Sequence, residues 1–221
     1  AKYNNGTDIL GIRPVIKIKA NLDYISGSGT KDNPYIVGNK ILFASYVKLD
    51  NDIWRVYEIN DNDIKLMLND YLKVNNNNLT YRYSYNSSYH NDTVSGSIAY
   101  YLNNNYLNSL SYKDKIKEST WSNGYYNSAT NFDYTYSLKD TVDTKVGLLS
   151  IGNIFVNSSL SNYYTMTGNS SRGGMVYVVN ENKRIYAKQI GTELNVVPAI
   201  TIDKSLLTKG NGTIDSPFEM E

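Results

Sequence analysis

Along most of the chain, apolar and polar residues alternate in short runs broken by Asn, Asp, Gly and Ser, the pattern of half-buried strands joined by turns. Ile41 to Lys48 and Ile53 to Ile59 read as strands, and Asn60-Asp61-Asn62-Asp63 separates the second from Ile64 to Leu68 as the loop of a hairpin. Val176 to Val179 and Arg184 to Ala187 predict a second hairpin turning over Asn180 to Lys183. Val196 to Ile202 reads as a last strand, and Pro198, which cannot donate to a ladder, places its beginning at a sheet edge or bulge. One stretch has helical period instead. Ile98, Leu102, Tyr106 and Leu110 recur every four residues, predicting a helix over Ser97 to Leu110 with Ser95 as its N-cap. Its other faces carry Asn103, Asn104, Asn105 and Asn108, poor helix formers, so docking of the apolar stripe must supply most of its stability. A second, short helix is expected around Lys113 to Glu118, and Trp54 is expected inside the sheet core.

The two ends of the chain match each other. Gly11-Ile-Arg-Pro-Val-Ile-Lys-Ile18 corresponds to Asn195-Val-Val-Pro-Ala-Ile-Thr-Ile202, with Pro14 and Pro198 at an offset of 184. Gly27, Gly29, Thr30, Asp32 and Pro34 correspond to Gly210, Gly212, Thr213, Asp215 and Pro217 at an offset of 183. Such a match is expected of one period of a tandem array, cut so that the tail of a preceding unit stands first. The expected division is 1–37 as the closing strand and joint of a preceding repeat, 38–205 as the repeat domain, and 206–221 as the joint to the next. The leading strand 11–18 is expected to order by pairing with its own or a neighbouring domain. Calcium bound at Asp32 and Asp215 is an alternative role for the joint, as it is for Asp61 and Asp63 in the hairpin loop, but a hard cation wants six to eight oxygens.

Composition narrows the chemistry. The 221 residues carry 22 basic and 21 acidic side chains, a net charge of +1, so no strong field exists to hold nucleic acid. There is no cysteine, which removes disulfides, thiolate zinc sites and a cysteine nucleophile. No apolar run approaches the roughly 18 residues that span a bilayer. Tyrosine occurs 22 times against 4 Phe, and asparagine 30 times, a composition suited to uncharged aromatic recognition surfaces and also produced by codon bias in a genome poor in G and C.

The ordered set Trp54-Arg-Val-Tyr57, Ile64-Lys-Leu-Met67, Ser97-Ile-Ala-Tyr-Tyr-Leu-Asn103 with Tyr106-Leu107, Val146-Gly-Leu-Leu-Ser150 and a closing Pro-containing strand resembles an uncharacterised domain family of large exported proteins of Gram-positive gut bacteria. The resemblance covers 38–203. Ala99 stands where the family often has Arg, and Val197 stands where the leading partial copy keeps Arg13. The family's closing Gly-x-Arg-Pro-Val strand is similar to the terminal strand of C-type-lectin-like domains, including the formylglycine-generating-enzyme group. That similarity implies an α+β fold with a twisted antiparallel sheet, two helices and long loops, C-type-lectin-like, in an extracellular cell-surface protein.

No nucleophile elbow, phosphate loop or His-Glu-x-x-His helix is present, and His90, the single histidine, reads as a surface-loop residue, so no enzyme is expected. No cofactor is expected. The aromatic, Asn-rich segments 121–136 and 162–172 nominate Trp121, Tyr125, Tyr126, Tyr163, Tyr164 and Arg172 as contacts to a host glycan or surface protein in adhesion. The other reading is a structural bead of a surface stalk or filament whose partners are neighbouring repeats linked by strand addition. Fold alone decides between neither.

Overall fold

The turn-forming residues keep the apolar runs short, and the computed structural model accordingly builds mostly from strands, 45% of it against 13% helix. It describes residues 22–26, 28–32, 36–39, 41–85, 90–122, 125–126, 141–169 and 174–220, with the backbone alone for 22–26, 36–39 and 125–126. The expected leading strand 11–18 lies outside the described residues. The chain divides into two units, Ala1–Lys40 and Ile41–Glu221.

In the first unit, β1 (Leu22–Ser26) and β2 (Ile36–Asn39) form an antiparallel hairpin. Tyr24 faces Val37 and Ser26 faces Ile36, with a bulge between Tyr24 and Ser26.

The second unit opens with β3 (Tyr46–Leu49), β4 (Asp52–Ile59), β5 (Asp63–Leu68), β6 (Lys73–Val74), β7 (Asn77–Asn78) and β8 (Thr80–Arg82). After helix α1 (Ile98–Ser109) come β9 (Ile116–Lys117), β10 (Ser119–Ser122), β11 (Tyr125–Tyr126), β12 (Thr141–Thr144) and β13 (Val146–Leu148). The rest comprises β14 (Tyr163–Asn169), β15 (Met175–Val179), β16 (Ile185–Gln189), β17 (Glu193–Asn195), β18 (Pro198–Asp203), β19 (Leu207–Lys209) and β20 (Phe218–Met220). A large curled sheet runs β13-β18-β5-β4-β3-β20-β19, with β9 also beside β18. A second sheet runs β16-β15-β14-β17-β8, with β11 parallel to β14. One continuous core joins both sheets to the helix, through Trp54 and Leu66 from the first, Tyr163 and Val178 from the second, and Ile98 and Leu102 from α1.

Strand β18 occupies an inner position, between β5 on one side and β13 and β9 on the other, and its residues 198–202 are buried on both faces. The edge or bulge expected for Pro198 is therefore corrected. Pro198 is the first residue of an interior strand, opposite Leu148, a place where a missing donor is tolerated. Nor is β18 the last strand. Residues 206–221, expected as a joint, supply the β19–β20 hairpin, and β20 lies parallel to β3 with Phe218 opposite Val47. Two glycines permit that turn. Gly210 and Gly212 hold φ of 86° and 79°, and a Cβ would lie 1.8 Å from the Pro217 carbonyl oxygen at the first and 2.5 Å from the Phe218 ring at the second.

Helix α1 buries Ile98, Leu102, Tyr106 and Leu110, the stripe read from the sequence. Its cap is Ser97, not Ser95: Gly96, at φ 81°, turns the chain immediately before it, and the Ser97 hydroxyl accepts from the Tyr100 N–H at 3.0 Å. Between α-helical ends Ile98–Tyr100 and Leu107–Ser109, the stretch Tyr101–Tyr106 is π-helical. The asparagines hold this loosened segment. Asn104 and Asn108 donate to the carbonyls of Tyr100 and Asn104, four residues back. Asn103 donates to Ala99 and Val146 carbonyls while accepting from the Val146 N–H at 2.9 Å, which ties the helix to β13 as a ladder pair would. The second helix expected at 113–118 is reduced to one 3₁₀ turn, Lys113–Lys115, because Ile116 and Lys117 extend as β9 to pair with Ile202 and Thr201. The expected strand from Ile41 likewise begins only at Tyr46, after a turn in which Ala44 takes φ 64°.

Candidate functional site

The nominated aromatic contacts that the structure describes are interior. Trp121 on β10 is 2% exposed. Its ring lies against Gly147, where a Cβ would come within 2.7 Å of it, and its indole N–H donates to the Thr144 carbonyl at 2.8 Å. The Lys65 ammonium stands 5.2 Å from the ring centroid. Tyr163 and Tyr164, each 1% exposed, belong to β14, all of whose residues are buried. The Tyr164 hydroxyl donates to the Thr192 carbonyl and lies 3.3 Å from that of Gln189, and burial pushes its titration upward. Trp121, Tyr163 and Tyr164 are thus corrected from surface contacts to core residues, because their rings fill the interior and the polar atoms of Trp121 and Tyr164 are spent on backbone carbonyls. Tyr125 and Tyr126 form β11, opposite Gly168 and Asn169. Arg172 and the segment 127–140 lie outside the described residues.

His90 is corrected too: it is 2% exposed, not a surface residue. Burial lowers its pKa to about 4, while a backbone hydrogen bond to Val146 and the charge of Asp92 oppose the shift. Among the described residues no group of three or more His, Asp or Glu could hold a metal ion. No described helix is long and apolar enough to cross a membrane.

Two features emerge, one that no sequence motif marked and one at the matching ends of the chain. The first is a groove of about 520 Å³ where β4 and β5 meet α1, lined in part by Asp52, Asp70, Tyr71, Lys73, Tyr101 and Tyr106. Burial raises the Asp52 carboxyl above its usual range, against the hydrogen bond from the Tyr112 hydroxyl at 3.3 Å. Asp70 is held low by the Lys73 ammonium at 2.7 Å. Tyr71 is fixed through its hydroxyl, which donates to the Ser161 carbonyl and accepts from the Ser161 N–H. The half-buried ring of Tyr101 stacks on Tyr81 with centroids 5.0 Å apart. Such a groove offers aromatic faces and polar groups to a neutral, hydroxyl-rich ligand. Only the Asp-Tyr pair at 70–71, just past a strand end, hints at it in the sequence.

The second feature is a repeated hairpin. At an offset of 183, Tyr24 opposite Val37 matches Leu207 opposite Met220, and Ser26 opposite Ile36 matches Lys209 opposite Glu219. The bulge falls in the same place in both. Gly29 and Gly212 take φ of 76° and 79°, and the contact of Ser28 and Thr30 hydroxyls reproduces the Asn211 to Thr213 side-chain hydrogen bond. The shared glycines thus accompany a common register and bulge.

No family model, curated protein or solved structure matches the chain.

Proposed function

We propose that the chain is a stretch of a tandem array in an exported bacterial surface protein, and that Ile41–Glu221 is one structural bead of it. The observation that carries this reading is the hairpin recurring with the same register, bulge and positive-φ glycine at an offset of 183. A unit running from Ile41 to Glu221 is close to that period in length. The curled sheet with a single main helix supports the likeness to C-type-lectin-like domains suggested by the closing-strand motif. Burial of Trp121, Tyr163 and Tyr164 weakens the adhesive alternative in its first form. The test is the parent reading frame: a Trp-Arg-Val strand motif should recur one period after Trp54, and its absence there would remove the array.

A second reading, adhesion to a host glycan, is favoured by the groove at Tyr71 and Tyr101. A glycan and host-matrix binding screen with calcium and with a chelator separates the two. Saturable capture lost in Tyr101→Ala supports adhesion, and silence in both conditions supports the bead.

A further inference from the structure

In an array of homologous units on one chain, every closing segment is present at high effective concentration near every other unit, so exchange of segments between units is a standing hazard. The closing segment of Ile41–Glu221 enters the middle of its sheet as β18, and an incoming segment must satisfy the same buried positions. We propose that Val197 and Thr201 are the specificity-determining positions of that slot, and that Arg13 and Lys17, their counterparts in the leading copy, bar the leading segment from it. The proposal rests on the tandem reading and specifies what keeps the units from exchanging parts.

The geometry is local and one-sided. Val197 is 1% and Thr201 2% exposed. Thr201 stands directly opposite Lys65 on β5 and, on the other side, Lys117 on β9, so the three side chains share one face of the sheet. Both lysines have partners. Lys65 is 14% exposed, 3.3 Å from Glu58 and against Trp121, while Lys117 is 2.5 Å from Asp63. The Thr201 hydroxyl completes the row with a 2.7 Å hydrogen bond to Ser119. Lys17 in this place would set a third ammonium between two others whose carboxylates are already engaged. Arg13 in the place of Val197 would bring a guanidinium into a fully buried aliphatic position. Both residues carry a positive charge where the native β18 segment has none. They act as repulsive elements against the wrong partner.

The experiment keeps the full chain and replaces residues 187–221 by a second copy of residues 3–38. The exchanged chain should lose its cooperative unfolding transition, or unfold about 10 °C or more below the native chain. Restoring Arg13→Val and Lys17→Thr within the second copy should return a cooperative transition near the native midpoint. If the unrestored chimera unfolds at the native midpoint, the exclusion is wrong and the tandem reading survives. If the restored chimera does not fold, the two segments are not equivalent and the tandem reading itself falls. A native-chain variant isolates charge from size. Thr201→Lys should lower the midpoint, and adding Lys65→Met, which keeps the apolar stem, should recover part of the loss. No recovery would overturn the electrostatic argument.

Discussion

Tyr163 and Tyr164 on β14 are 1% exposed, whereas Tyr71 and Tyr101 line an open groove half-buried. The residue type is the same and the local composition is equally polar, yet the first pair closes the core and the second edges a surface cavity. What differs is the neighbouring strand. β14 is flanked by β15 on one side and by β17 and β11 on the other, and its own Thr165 and Thr167 are buried with hydroxyls bonded inward. A polar-looking run thereby becomes an interior strand. Tyr71 and Tyr101 follow a strand end and sit on a helix flank, where one face stays open. A tyrosine-rich chain therefore does not advertise its surface by its tyrosines, and substitutions on the two sides of this divide should have unequal costs.

The largest cost is expected for Trp121→Ala, which empties the space over Gly147 and removes the indole bond to Thr144. A loss of about 3–5 kcal/mol is expected in urea unfolding. A loss below about 1 kcal/mol would return Trp121 to the class of surface contacts.

Acid should separate the interior from the groove next. His90 titrates near 6.5 when unfolded and near 4 when folded. Between those values the unfolded state binds more protons, so stability is full above the upper value and falls as pH drops through the window, by about 3 kcal/mol in all. Urea midpoints at pH 7, 5 and 4 measure it, and His90→Gln should flatten the slope. An unchanged slope in that variant would assign the acid sensitivity to carboxylates instead.

The turn of the repeated hairpin comes third. Gly212→Ala puts a Cβ at φ 79° and 2.5 Å from the Phe218 ring, with an expected loss of about 1–3 kcal/mol. Hydrogen exchange should show the opening confined to β19 and β20, and uniform deprotection would mean that the hairpin is integral to global unfolding.

These effects also mark how far the sequence could be read. The stripe Ile98, Leu102, Tyr106, Leu110 was legible because a four-residue spacing specifies a face regardless of what covers it. Ser97 displaced Ser95 as the cap because Gly96 takes a left-handed turn, a conformation the residue type permits without announcing. The helix at 113–118 gave way because Ile116 and Lys117 found β18 as a partner far along the chain, and such pairing overrides weak local propensity. The glycines and proline of 206–221 mark a turn, and the docking of β20 beside β3 depends on Phe218 reaching a core written elsewhere. His90, Trp121, Tyr163 and Tyr164 are buried for one shared reason: polar neighbours in sequence are not polar neighbours in space. The groove collects residues from 51 to 110, so no linear window contains it.

The smallest expected effect lies at that groove, and its smallness is what sharpens the comparison. Tyr101 is half-buried, so truncation removes a tilted contact with Tyr81 and part of the groove wall and should cost about 1 kcal/mol. Lys73→Ala should cost less than about 1 kcal/mol, because its pairing with Asp70 is half exposed on both sides. If Tyr101→Ala instead matches Trp121→Ala in urea, the groove is a breathing part of the core and cannot serve as a standing ligand site. If stability is spared while binding to any glycan disappears, Tyr101 belongs to recognition. Stability and capture must therefore be measured on the same variant, since a core ring and a recognition ring differ only in which of the two readings moves.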